Sequence, residues 1–542
     1  MWAVLSALHP VQNHHQHASR HEHYESFIST LNFTGIEFPV RLQDVSKFEK
    51  LNGLSINVYG LTENDKVYPL IITDEEKSPH VDLIYLTSAS SSHYAWIKDL
   101  SRLLSSQYSK HNGKRLICRR CLQFFTTEPV LTRHQLSCSQ REAVRVQMPE
   151  DKWLSFKNMK HTQPVPFVIY ADFECLTKPV DSCQPNSKES YTETNQKHEP
   201  ISFCYYITST MGPYKEPFVY RGPNAEKMFM ERMKLEAADI HRIYKHPLPM
   251  DPLTEEEQRA FDTATHCYLC QEKFSKNNYK VRDHDHQTKK IRGAACNTCN
   301  LKARTPNFIP VIFHNLSGYD SHLFIKELGG DDGDITVIPE NTEKYISFSK
   351  QVGKHLSLRF LDSFRFMASS LDQLARNLTE DQFKLIQRYF SSDHLALLLR
   401  KGVYPYDYIN HADKFNETVL PPQEAFYNRL NETNITAEDY EHAQKVWEVF
   451  RLNSLGEYAD LYVKSDVLLL ADIFENFRDV CMKTYGLDPA WYYTAPGLSW
   501  DAMLKKTGVQ LELLQDYDML LFYRERDSRW SFPMLPSICK SQ

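Results

Sequence analysis

The feature that most constrains the fold of this chain is a pair of Cys-x2-Cys knuckles, Cys267/Cys270 and Cys296/Cys299. Four thiolates in two such pairs close on one tetrahedral ion, so the segment between them must double back into a compact unit. A unit of that size has little apolar surface of its own, and a structural zinc ion supplies roughly 10–16 kcal/mol of folding free energy. A second set precedes it: Cys118, Cys121, His134 and Cys138. Here the His/Cys pair is spaced to share one helix face, and Phe125 and Leu131 provide the apolar residues of a small core. Two Zn2+ sites are therefore expected. Seven of the twelve cysteines lie in them, which points to a reducing compartment, nuclear or cytoplasmic, and not to disulfides. Sequons such as Asn416-Glu417-Thr418 are then chance matches. One finger reads only about three base pairs, so residues 114–140 could read DNA, bind protein or brace their neighbours.

With 42% hydrophobic and 12% aromatic residues the chain is globular. A net charge of −6 confines any nucleic-acid binding to local patches. No apolar run reaches the roughly eighteen residues of a membrane span, and the apolar start, Met1 to Leu8, lacks the basic flank of a signal peptide. Residues 1–26 are polar and rich in histidine (His14, His15, His17, His21, His23) and read as a disordered tail. Residues 27–113 alternate short strands (Leu54–Tyr59, Val67–Ile72, Val81–Leu86) and end in a helix over Tyr94–Leu104, giving a small α+β domain.

Three acidic motifs carry the chemistry. Val165 to Glu174 is an apolar run ending in Asp172-Phe173-Glu174, as in a buried strand, and residues two apart on a strand share a face. Phe308–Phe313 is a second strand, with Asn315-Leu316-Ser317-Gly318-Tyr319-Asp320 as its turn into a helix. Asp466 lies on a helix over Glu457–Phe474, with Tyr462 one turn earlier on the same face. Each acid alone would be a cap or a solvated residue. Gathered in one pocket they repel by about 4 kcal/mol per close pair at an effective dielectric near 20. Two Mg2+ or Mn2+ ions would neutralise them, one activating water and the other stabilising a leaving oxygen, while Tyr462 orients the water. Between the first two motifs, the loop joining the Cys267 and Cys296 knuckles carries Asp283-His284-Asp285-His286, and Asn300 follows Cys299. From Glu272 to Arg304 there are nine Lys/Arg against three acids, a local excess suited to phosphate contacts.

These residues resemble the N-terminal half of a protein-primed family B DNA polymerase, especially those of Polinton/Maverick-like mobile elements. The resemblance covers residues 160–225 and 308–525 and includes Ser369-Ser370-Leu371, similar to a single-strand-contacting motif, and Tyr485–Pro489 through Asp501. It implies an α/β, RNase H-like 3′–5′ exonuclease domain of the proofreading type acting on DNA in replication. Its metal ligands would be Asp172, Glu174, Asp320 and Asp466; Asn315 and Tyr319 would hold a frayed 3′ end, with Ser370 and Leu371 on the single strand. Cys175 departs from the pattern, since relatives commonly carry Thr after the acid pair. The cysteine-bounded segment resembles the phage recombination endonuclease VII branch of the His-Asn-His nucleases, a ββα-metal fold. By that resemblance His284 is the general base, Asp283 and Asn300 hold one catalytic Mg2+, His286 supports the site, and branched DNA is the substrate. The alternative is a structural zinc ribbon with a polar loop.

The expected order is a tail (1–26), a small α+β domain (27–113), a Cys2HisCys finger (114–140), the exonuclease domain (160–225 and 308–480), the zinc insert (226–307) and a truncated exonuclease–polymerase junction (481–542). The palm signatures Asp-x-x-Ser-Leu-Tyr-Pro and Tyr-x-Asp-Thr-Asp do not occur in these 542 residues. DNA synthesis would then require a polymerase domain or priming protein as partner. A catalytically silent, domesticated zinc/DNA-binding module is the competing expectation.

Overall fold

The computed structural model describes residues 1–11, 17, 19–61, 66–87, 92–108, 116–140, 149–180, 196–302, 306–341, 343–429, 432–515 and 519. The chain forms two compact units: Met1–Leu154 with Gln510–Gln542, and Ser155–Val509.

In the first unit, helix α1 (Trp2–Leu8) buries Val4 and Leu5, with Val4 in the same core as Val45 and Phe48 of α2 (Val45–Asn52). Four strands follow, β1 (Ser55–Leu61), β2 (Val67–Ile71), β3 (His80–Thr87) and β4 (Ser92–Trp96), in the order β2-β1-β3-β4, with β1 and β3 parallel. The tail expected over 1–26 is therefore corrected: the apolar octet at the start is an amphipathic helix, and Tyr24 is buried as well. His14 and His15 lie outside the described residues. The helix expected over Tyr94–Leu104 is in its first part a strand, because Tyr94 and Trp96 pair across β3 with Tyr85 and Leu83. Helix α3 (Leu100–Tyr108) starts only after Asp99, which accepts a hydrogen bond from the Arg102 amide.

The finger is a short hairpin, β5 (Leu116–Ile117) and β6 (Phe124–Phe125), followed by α4 (Glu128–Cys138). Arg119, inside its first knuckle, donates to Asp82 (3.0 Å) and Glu76 (3.0 Å), while Tyr59 donates to the Arg119 carbonyl. Leu122 is buried with Tyr59, Ile84 and Leu104. The finger is thus fastened to the sheet through its knuckle. After it, β7 (Trp153–Leu154) pairs with Leu511–Glu512.

The second unit is built on a seven-stranded mixed sheet with helices on both faces. Its strands are β8 (Phe167–Pro179), β9 (Gln196–Ser209) and β10 (Phe218–Arg221). Then come helices α5 (Ala225–Lys245) and α6 (Glu255–Thr263), the hairpin β11 (Lys280–His284) and β12 (Ile291–Cys296), and α7 (Asn297–Lys302). Strand β13 (Phe308–Phe313) re-enters the sheet, followed by α8 (Asp320–Phe324), β14 (Ile335–Pro339), β15 (Tyr345–Gln351) and β16 (Ser357–Asp362). Helices α9 (Leu371–Arg376), α10 (Ser392–Leu398), α11 (Ala437–Val449), α12 (Leu455–Tyr485) and α13 (Ala495–Thr507) complete it. The sheet order is β10-β9-β8-β13-β16-β15-β14, with β13 parallel to both β8 and β16.

Strand alternation places the site. On β8, Phe167, Ile169, Ala171 and Phe173 face the α5 side, while Val168 and Tyr170 face α12. Asp172 and Glu174 continue that second row. Helix α5 packs Phe229, Met233, Ala237 and Ile240 into the sheet's core, so it belongs to the body, and the zinc unit begins after it, not at 226. The boundary expected at 480 falls inside α12, and α13 adds Leu498 and Ala502 to the same core.

Helix α12, 31 residues long, is capped by Ser454 and ends on Gly486 in the left-handed conformation. Its position depends on Arg478, a buried guanidinium that pairs with Asp488 (2.6 Å) and Glu475 (2.8 Å) and donates to the Val165 carbonyl just ahead of β8. Asp488 also accepts from the Val165 amide, and Glu475 accepts from Tyr170 and Thr208. Arg478→Met leaves Asp488 buried without its cation, and we expect it to cost about 3–5 kcal/mol of stability. Denaturant unfolding checks this; a loss below 1 kcal/mol would show that the pair does not fix α12.

Candidate functional site

The three acidic motifs come together. Asp172 and Glu174 project from β8, Asp320 is the first residue of α8, and Asp466 lies on α12. Glu174, Asp320 and Asp466 are 6%, 2% and 1% exposed. The repulsion within the pocket reads in the titration of Asp172, Glu174 and Asp320. Burial, then Asp466, pushes the Asp172 carboxyl up to about 7, against the pull of Lys401. Burial and Asp172 hold Glu174 and Asp320 well above the usual carboxylate range. Asp320 Oδ1 and Asp466 Oδ1 are buried and accept no hydrogen bond among the described residues. Oxygen donors that are buried, crowded and short of partners are the chemistry hard divalent cations require, so these residues fit Mg2+ or Mn2+.

The turn between β13 and α8 is held by a residue the motif reading missed. Asp362, at the end of β16, accepts from the amides of Asn315 (2.8 Å) and Ser317 (3.1 Å) and from the Ser317 hydroxyl. Asn315 takes a left-handed conformation (φ 68°), and a Cβ on Gly318 would lie 2.4 Å from Asn315 Oδ1. This tight turn delivers Asp320 to β8. Tyr319 bonds to His198 Nδ1 at 2.7 Å and lies against the Cys175 thiol.

The segment 401–406 was also missed. Lys401 Nζ sits 2.8 Å from Asp466 Oδ2. Burial alone would lower its pKa, but Asp466, Tyr406 and Asp172 carry it well above the ordinary lysine value. The Tyr406 and Tyr462 hydroxyls are 2.7 Å apart, Tyr404 stacks on Tyr462 with ring centroids 4.7 Å apart, and a Cβ on Gly402 would meet the Tyr462 ring at 3.0 Å. Tyr462, 4% exposed, is thereby fixed on the face that carries Asp466. The only signal in the sequence was the basic, aromatic run Arg400 to Tyr406, which reads locally as a turn at Pro405.

Other expected residues part ways. Ser370 caps α9, accepting from the Gln373 amide. Leu371 is 5% exposed within the core formed with α12, so its side chain is not offered to a single strand, which corrects that assignment. In the first unit Ser55, His80 and Asp82 line up as a hydroxyl–imidazole–carboxylate relay, at 2.8 and 3.1 Å. It is not a nucleophile: Ser55 is 1% exposed and its Oγ is engaged with the Lys77 backbone.

Both cysteine sets close as the spacing requires. In Cys118/Cys121/His134/Cys138 and in Cys267/Cys270/Cys296/Cys299 the donor atoms lie within 4.8 Å of one another, and thiolate–imidazole donors fit Zn2+. The endonuclease-like residues lie on the hairpin and helix of the second set, with the His284 and His286 rings 4.8 Å apart and Asn300 on α7. Asp283 differs from expectation. It is 3% exposed, and its oxygens are taken by the Tyr268 hydroxyl and by Arg292 (3.2 Å). As it stands it does not fit an open divalent-cation ligand.

Two measurements follow. The purified protein should carry two zinc ions per chain by elemental analysis, falling to one in Cys270→Ala. The raised carboxyls fix a sign for the pH dependence: the folded state holds protons that an unfolded Asp would release near pH 4, so cation-free stability falls as pH rises from about 4 through 7. The thermal midpoint of the zinc-loaded protein, in chelator-free buffer without Mg2+ or Mn2+, should drop from pH 5 to pH 8, Mn2+ should restore it most at pH 8, and Asp172→Asn should flatten the profile. A midpoint that climbs over this range would contradict the crowded pocket.

Residues 301–527 match the family model for DNA polymerase type B, organellar and viral. That span holds Asp320, Lys401, Tyr462 and Asp466 but not Asp172 and Glu174. Residues 243–309 match recombination endonuclease VII, a span that agrees with a zinc unit beginning after α5. No curated protein and no solved structure matches the chain. The chain therefore carries a segment similar to DNA polymerase type B, organellar and viral, and ahead of it one similar to recombination endonuclease VII.

Proposed function

We propose that the Asp172/Glu174/Asp320/Asp466 pocket is a metal-dependent 3′–5′ exonuclease of the proofreading type, on an RNase H-like sheet, in a mobile-element DNA polymerase of family B. The observation that carries this is the convergence of four carboxylates from β8, α8 and α12, with Glu174, Asp320 and Asp466 buried, beside a fixed tyrosine. Bound Mg2+ or Mn2+ would supply an activated water and neutralise charge at the leaving 3′ oxygen. The chain's own residues do the rest. Asp172, Glu174, Asp320 and Asp466 hold the charge that the ions compensate. Tyr462, its hydroxyl held by Tyr406, would orient that water, and the Lys401 ammonium, which balances Asp466, would meet phosphate. Tyr319 and Asn315 line the turn where the terminal nucleotide would rest. Single-stranded 3′ ends of DNA are the substrate this arrangement suits.

In the second nuclease reading, the His284 imidazole takes a proton from water in cleavage of branched DNA, amid the basic excess around β11 and β12. The match to recombination endonuclease VII supports it.

Incubating the protein with 3′-labelled single-stranded DNA and Mg2+ should release mononucleotides, and Asp172→Ala/Glu174→Ala should slow this by at least about 10²–10³-fold. No release, or release untouched by the double substitution, would sink the exonuclease reading. On four-way junction DNA, His284→Ala should abolish nicking while leaving 3′ digestion intact; nicking that survives would remove His284 from that role.

A further inference from the structure

Gln163, just ahead of β8, lies in the body of the second unit, and its carbonyl accepts from Trp491 Nε1 at 2.7 Å. Its side chain reaches into the zinc insert: Oε1 accepts from Arg292 Nη1 at 2.7 Å, and Nε2 donates to the Tyr268 hydroxyl at 3.3 Å. The other end of the Arg292 fork, Nη2, holds Asp283 Oδ1 (3.2 Å) and the His284 carbonyl (2.9 Å). The Tyr268 hydroxyl donates to Asp283 Oδ2. One guanidinium thus ties Asp283, in the Asp283–His284 strand, to the body of the unit. Arg292 is 24% and Asp283 4% exposed at the side chain, so this ion pair is only weakly screened. Arg292 Nε is buried without a hydrogen-bond partner among the described residues. The cluster therefore lacks one hydrogen bond it could make, and an exchange of partners is open to it.

We propose that Gln163, Arg292, Asp283 and Tyr268 form a docking latch, in which Arg292 occupies the carboxylate that a divalent cation would need. The inference rests on the endonuclease reading of the insert and adds to it a closed state. With the insert docked, Asp283 is held by Arg292 and Tyr268, which Gln163 ties to the body; a cation reaches Asp283 only after Arg292 lets go. Arg292 is in this account a positioning residue. A strand or junction that drew the guanidinium onto phosphate would open the site, since arginine's fork suits phosphate as well as carboxylate.

The test uses the full chain with Asp172→Ala/Glu174→Ala, so that the other carboxylate pocket takes up little cation, and Mn2+ as the probe. Uptake is read by the loss of the free-ion electron paramagnetic resonance signal. Adding Arg292→Met should tighten Mn2+ uptake by about tenfold or more, and adding Asp283→Asn to that variant should remove the gain. If the latched chain already binds Mn2+ as tightly as Arg292→Met, and Asp283→Asn alone abolishes it, the latch is wrong. Gln163→Leu releases the tether while leaving every hairpin residue and the Arg292–Asp283 pair in place. It should speed hydrogen–deuterium exchange over residues 280–296 at unchanged zinc content, and unchanged exchange there would overturn the proposal even if Arg292→Met failed to fold. Failure of the endonuclease reading looks different: no variant, Arg292→Met included, would nick junction DNA, whatever the Mn2+ and exchange results.

Discussion

The second unit depends on keeping like charges together. Four carboxylates share one pocket, three of them buried, and Asp172, Glu174 and Asp320 are held above their usual ionisation. Nothing local to any one motif favours that arrangement. It persists because the elements carrying the acids are fixed elsewhere: α12 by Arg478 clamped between Asp488, Glu475 and the Val165 carbonyl, and the β13–α8 turn by Asp362. Lys401 then lowers the cost of burying Asp466. A pocket whose repulsion is opposed by distant packing is preorganised for cations, because folding has already met the expense of assembling the donors.

The zinc insert fits between α5 and β13 without disturbing the sheet, since α5 still covers one face and β13 still pairs with β8 and β16. Its small core gathers around Cys267, Cys296 and Cys299, apart from the body's two cores, with Gln163 as a polar tie to the body. The finger follows the same logic in the first unit, where Arg119 and Leu122 fasten its knuckle to the sheet. In both places four donors placed to hold zinc accompany a short segment with little apolar area of its own.

What was legible in the residues followed periodicity. The alternation of Val168, Tyr170, Asp172 and Glu174, the one-turn spacing of Tyr462 and Asp466, and the cysteine spacings each state a local geometry, and each geometry is observed. What was not legible is the identity of partners brought in from afar. Lys401 and Tyr406 look like a turn until α12 is in place, and Asp362 looks like a strand end until the Asn315 turn folds onto it. Leu371 and Asp283 failed in the opposite sense. Their motif context suggested contact with ligands, whereas the core claims one side chain and Arg292 with Tyr268 claims the other. Helix α1 was hidden by the histidines that follow its apolar octet.

The central claim is that β8, α8 and α12 build one two-ion centre. Electron paramagnetic resonance of the protein titrated with Mn2+ tests it most directly, since ions about 3.5–4 Å apart are exchange-coupled. The account predicts a coupled two-Mn2+ spectrum that disappears in Asp320→Asn and in Asp466→Asn. Isolated Mn2+ signals alone, or a coupled signal indifferent to both substitutions, would contradict it.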